Sequence, residues 1–75
     1  MNALLSPTQV EIVKTVSEDC DSCGNAAKLD VRLSTGGELA FCGHHANRHA
    51  SEIARRANQV RVEAGFTWAG SVFTA

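Results

Sequence analysis

Hydrophobic and polar positions alternate most cleanly in the middle of the chain. In KLDVRL, Leu29, Val31 and Leu33 fall on one side and Lys28, Asp30 and Arg32 on the other, the period of a half-buried strand. Leu39 and Phe41 repeat that period. The intervening STGG is turn chemistry, so residues 28–41 read as a β-hairpin. The period then changes. From Ala46, small apolar residues fall at 46, 50, 53, 57, 60 and 64, in steps of four and three, which predicts a helix with a narrow apolar seam and a C-cap at Gly65. The opening segment carries two signals. Ser6-Pro7-Thr8-Gln9 looks like a capping box with proline at the first helical position, whereas Val10, Ile12 and Val16 fit strand alternation equally well. A short helix passing into an extended arm accommodates both. The expected organisation is an N-terminal arm (1–17), a central knuckle, hairpin and helix (18–65), and an aromatic tail (66–75).

A chain of 75 residues makes one small domain, whose apolar core alone rarely supplies more than ~3–5 kcal/mol, so a staple is expected. Three cysteines cannot pair completely as disulfides. A metal fits better. The opening MNALLSPTQV has neither a basic n-region nor a long apolar run, so the expected compartment is a reducing cytoplasm, where thiols stay available, and no membrane association is expected.

All three cysteines fall in two short stretches, CDSCG at 20–24 and CGHH at 42–45. Cys20 and Cys23 flank a tight turn that aims both sulfurs at one centre. The hairpin returns the chain to Cys42 as the helix begins, and His45 lies three residues on, along the same side of the first turn. Cys20, Cys23, Cys42 and His45 thus form a Cys3His set suited to one tetrahedral Zn2+ per chain, with all four positions filled by protein, as in structural sites. His44 and His49 are the alternative fourth ligands. The order knuckle, hairpin, helix is that of a small α+β zinc-stabilised domain of treble-clef or zinc-ribbon-like type. The bland alternative is a pair of buried cysteines and an incidental third.

The stretch CDSCGNAAKLDVRLSTGGELAFCGHHANRHASEIARRA resembles a small family of actinobacterial and actinobacteriophage proteins that share a C-x2-C-G knuckle, a hairpin with a glycine-rich tip, an F-C-x-H-H segment and an ensuing helix. The resemblance covers roughly residues 18–60, with Cys20, Cys23, Cys42 and the His44-His45 pair at the matching positions. It implies a zinc-binding module and brings no activity with it. For a phage-encoded member the compartment would be the host cytoplasm.

Enzymatic chemistry finds little support. The chain has no tyrosine, no paired carboxylates on a helical face and no phosphate-binding glycine loop. Lewis-acid catalysis with Glu38 or Glu52 as base would need an open metal position, and a redox role for Cys20 and Cys23 would compete with the metal for the same thiols. Two binding classes remain. Phe66, Trp68 and Phe73, three of the four aromatic residues, would anchor a protein partner, a homodimer or a larger assembly, unless they fold back onto the core. Arg48, Arg55, Arg56 and Arg61 would instead grip nucleic acid. Charge favours the first class: residues 1–41 carry a net -3 and residues 42–75 a net +2, so the chain as a whole is slightly acidic.

Overall fold

The computed structural model describes residues 9–70. Six elements follow in order: β1 (Gln9–Val13), β2 (Leu29–Leu33), β3 (Glu38–Phe41), α1 (Gly43–Arg48), α2 (Ala50–Arg56) and β4 (Ala57–Glu63). The strands form one sheet in the order β1-β4-β2-β3. Strand β2 pairs antiparallel with both β3 and β4, and β1 pairs parallel with β4. The result is a small α+β domain with two helices on one face of a four-stranded sheet.

The hairpin forms where the alternation predicts it. Leu29 and Val31 are fully buried beneath the helices, opposite Phe41 and Leu39 of β3 and opposite Val62 and Val60 of β4. Strand β3 lies at the sheet edge, so its helix-side residues are less covered: Phe41 is half-buried and Leu39 is 37% exposed. Ala40 points to the other face, where it packs with Val16 and Ala27 in a second, smaller cluster.

The predicted helix over 46–64 is corrected. It breaks at His49 and ends at Arg56, and residues 57–63 form the second strand of the sheet. Ala57 and Val60 fit the helical step of three, which in a regular strand would turn them to opposite faces. Both reach the same core because the register shifts between Arg32 and Leu33, where Leu33 pairs with Ala57. The next buried residue is Val62, two positions on, while Ala64 is exposed. The β-branched pair Val60 and Val62 gains more by closing over Val31 and Leu29 between two strands than by continuing along a helix. Gly65, with φ +90°, ends a strand and caps no helix.

The boundaries drawn at residues 17 and 65 do not separate structural units. Residues 9–13 of the expected arm are a strand and not a helix, and Phe66 and Trp68 of the expected tail pack with the main core of Leu29, Val31, Ala46, Ile53 and Val60. The proposed capping box from Ser6, and Phe73, lie outside the described residues.

Candidate metal centre

The first half of the site is a turn closed by backbone bonds. The Gly24 N–H donates to the Cys20 carbonyl at 2.8 Å and the Cys20 N–H to the Asn25 carbonyl at 2.6 Å, and Gly24 takes the φ of +83° that this turn requires. The turn is fastened to β3 through Asp21. Its N–H donates to the Ala40 carbonyl (2.8 Å), and its Oδ2 accepts from the Ala40 N–H (2.7 Å). Asp21 therefore occupies the outward-facing backbone groups of Ala40 and fixes the distance between the knuckle and the end of the hairpin.

The second half grows out of β3. Cys42 follows Phe41 and is the N-cap of α1 in extended conformation (φ -68°, ψ 170°), and its carbonyl accepts the Ala46 N–H at 2.8 Å. One turn on, His45 swings its Nδ1 back toward the sulfurs. Two aromatic residues brace this turn from behind. The Trp68 indole is 2% exposed and its Nε1 donates to the Ala46 carbonyl at 2.9 Å, while the Phe66 ring lies so close to Gly43 that a Cβ there would sit 3.0 Å from its Cε1. Asn47 ties the same segment down: its Oδ1 accepts the Ala69 N–H at 2.7 Å and its Nδ2 donates to the Thr67 carbonyl at 3.5 Å.

The donor atoms of Cys20, Cys23, Cys42 and His45 all lie within 4.8 Å of one another. Cys23 Sγ to Cys42 Sγ is 3.7 Å, and His45 Nδ1 is 3.3 Å from Cys42 Sγ and 3.7 Å from Cys20 Sγ. A zinc tetrahedron built with bonds of ~2.3 Å to sulfur and ~2.0–2.1 Å to nitrogen has edges of about 3.8 Å between sulfurs and about 3.6 Å between sulfur and nitrogen. The set fits a metal of that size. His44 and His49 stand beside the cluster: His44 meets the His45 ring edge-on at 5.1 Å between centroids, and His49 stacks nearly parallel to it at 6.0 Å.

Electrostatics favour a cation at this point. Desolvation raises the Cys20 pKa, but amide hydrogen bonds from Cys42, Ser22 and Cys23 outweigh it, and the thiol is lowered to about 6. The amide of Asn25 favours a Cys23 thiolate; burial, hydrogen bonding with Cys20 and Cys42 and repulsion from the Cys20 thiolate prevail, so its pKa is raised. The backbone thus supports a thiolate at Cys20, while desolvation and the neighbouring sulfurs resist a second one at Cys23. A dication bound by the four donors would relieve that repulsion and hold all three sulfurs as thiolates.

The other residues singled out from the sequence are dispersed. Of the aromatic residues named as partner anchors unless they fold back, Trp68 is buried in the main core and Phe66 is half-buried against it. The four arginines form no single surface. Arg55 and Arg56 both pair with Glu52, and Arg61 lies on the sheet face away from the helices, 3.8 Å from both Glu11 and Asp30. Arg48 makes no ion pair among the described residues. Asp21 and Asn47 carry positioning roles that the sequence alone does not reveal; a polar residue inside C-x2-C and one two positions after His45 are the available signals. Among the described residues no helix is long and apolar enough to cross a membrane.

No curated protein and no solved structure matches the chain. A family model does, over residues 14–67, a span that takes in the knuckle, the hairpin, both helices, β4 and Phe66. The chain belongs to DUF7455, a domain of unknown function.

Proposed function

We propose that this domain is a treble-clef zinc finger in which one Zn2+ is structural, and that it acts without catalysis as a protein-interaction module. The observation that carries the metal reading is the convergence of three thiols and one imidazole nitrogen at separations that suit a zinc tetrahedron. Knuckle, hairpin and helix start contribute the donors in the order of that finger type. Four protein donors fill a tetrahedral coordination sphere, which supports a structural role and leaves no position for substrate.

Protein interaction is supported over nucleic-acid binding by the engagement of Arg55, Arg56 and Arg61 with carboxylates, and by Val10, Ile12 and Leu39, which remain exposed at the two sheet edges. Elemental analysis of protein expressed with ample zinc should give one equivalent per chain, and Co2+ substitution should give the intense visible bands of a tetrahedral thiolate site. Well under half an equivalent, or an octahedral cobalt spectrum, would overturn the metal reading. Tight binding to duplex DNA that weakens steeply between 50 and 200 mM salt would overturn the choice of protein over nucleic acid.

A further inference from the structure

The two edges of the sheet are treated differently. At β3 the outward N–H and C=O of Ala40 are taken by Asp21. At β1 no described segment pairs with the outer side. The register of β1 on β4, with the Ala64 N–H bonding to the Val13 carbonyl at 2.8 Å, sets which groups face which way. In a parallel pair, N–H and C=O of one residue point to the same side and alternate along the strand, so Gln9, Glu11 and Val13 turn theirs to β4 while Val10 and Ile12 turn theirs outward. Val10 and Ile12 are also two of the three large exposed hydrophobic side chains among the described residues, 37% and 65% exposed. Opposite Val60 and Val62 in the register, they continue the helix-side face beyond the helices. Among the described residues, backbone groups without a strand partner and uncovered apolar side chains therefore coincide on the same two residues.

We propose that β1 is a self-association edge, joining two copies of this chain by antiparallel β1–β1 pairing about a two-fold axis through Glu11. The unpaired donors and acceptors call for an extended strand as occupant, and the spacing makes β1 its own complement. With Val10 opposite Ile12 of the second copy, and Ile12 opposite its Val10, all four outward N–H groups of the two strands bond to the four outward carbonyls. The same register places Val10 and Ile12 side chains of both copies in one apolar stripe between the two helix pairs. Glu11 then faces Glu11 on the opposite side of the sheet, which weakens the pair; each carboxylate is partly offset by Arg61 at 3.8 Å and by Gln59 Nε2 at 3.3 Å. A five-residue edge contact falls short of the ~1,200 Å2 typical of stable interfaces, so the dimer is weak, with a dissociation constant on the order of 100 μM. This inference rests on reading the domain as an interaction module and names its first partner.

Sedimentation equilibrium of the full, zinc-loaded chain from about 10 μM to 1 mM tests it, with zinc counted in every sample. The mass should rise from 8.0 kDa toward twice that value. Ile12→Pro removes an outward N–H that the fold does not use and should leave a monomer, since edge strands tolerate proline on their solvent side. The double variant Val10→Thr/Ile12→Thr keeps strand propensity while removing apolar surface, and decides the matter if the proline variant does not fold; about tenfold weaker association is expected. Glu11→Gln should tighten the dimer about two- to fivefold. A monomer at 1 mM, or a dimer unmoved by both Val10/Ile12 variants, would overturn the proposal. Because zinc content is read separately, a monomer that retains one equivalent overturns the edge and spares the metal centre, whereas a dimer without zinc does the reverse.

Discussion

Replacing Trp68 with phenylalanine tests whether the metal centre and the fold are one energetic unit. The indole is 2% exposed and its Nε1 donates to the carbonyl of Ala46, a residue with no exposed surface in the first turn after Cys42 and His45. Phenylalanine keeps most of the apolar contact but leaves that buried carbonyl without its donor, at a cost of about 1–3 kcal/mol, and the smaller ring loses roughly another 1 kcal/mol of packing. The sum, about 2–4 kcal/mol, is comparable to everything a core of this size supplies. If the metal-free chain is unfolded, zinc binding free energy is folding free energy, and the same loss reappears as an apparent zinc affinity about 30- to 700-fold weaker, at 1.4 kcal/mol per decade. Competition against a chromophoric chelator measures the affinity, and urea unfolding of the loaded protein followed by far-UV circular dichroism measures the stability. A lowered urea midpoint with unchanged zinc affinity would show that the metal-free domain stays folded, which refutes the linkage. If neither changes, the indole does not brace the site at all.

Chelation of the wild-type metal should remove the circular dichroism of the hairpin and helices, and a native spectrum after verified zinc loss would count against a structural metal. His45→Ala should weaken zinc binding by at least about 100-fold, because it deletes a donor, while His44→Ala and His49→Ala should each cost less than about tenfold, below the ~10–100-fold of a residue that hydrogen-bonds a ligand, because each touches His45 only ring to ring; the reverse ranking by chelator competition would reassign the fourth ligand. Asp21→Ala should lower stability in urea by about 1 kcal/mol, since it removes the acceptor of the Ala40 N–H while the backbone bond between the two residues remains; an unchanged midpoint would mean the knuckle holds its place without it. Gly70→Ala should cost about 1–3 kcal/mol in the same assay, because a Cβ there would lie 2.1 Å from Trp68 Cζ2 and that ring is buried in the core; an unaltered midpoint would show that the backbone at Gly70 can shift away.

The parts of the fold that could be read from the sequence are those whose signals are local. Cysteine spacing and a period-two hairpin involve neighbours along the chain, and both Cys20 to Gly24 and residues 28–41 fold as that pattern dictates. The choice of His45 over His44 and His49 followed from its spacing to Cys42, and the donor atoms converge accordingly. What stayed hidden depends on distant partners. Ala57 and Val60 keep a helical step of three, and a strand holds both on one face only through the register shift beside Leu33, which depends on pairing with β2 and leaves no local signal. Val10 and Ile12 already alternated, but nothing in their own neighbourhood identified residues 59–63 as their partner. Trp68 could have served an interface or the core, and the decisive fact, a small-residue turn at Ala46 with a free carbonyl, lies 22 residues away in the chain.

The central position of β4 bears on the order in which this domain is made. The knuckle, the hairpin and the start of α1 join residues 20–45, a contiguous stretch that can close on a metal as soon as it leaves the ribosome. Strand β4 is among the last described segments to be synthesised, yet it must insert between β2 and β1, and its pairing of Gln59 with Gln9 closes a loop of 50 residues. Loop closure of that length precedes any gain from the contacts it creates, so sheet completion should be the slow step of folding. Until it occurs, the nascent chain would hold only the hairpin and the gathered Cys20, Cys23, Cys42 and His45 donors, with an open flank along β2, and a stop or cleavage after α2 begins at Ala50 but before Ala57 would leave it in that state.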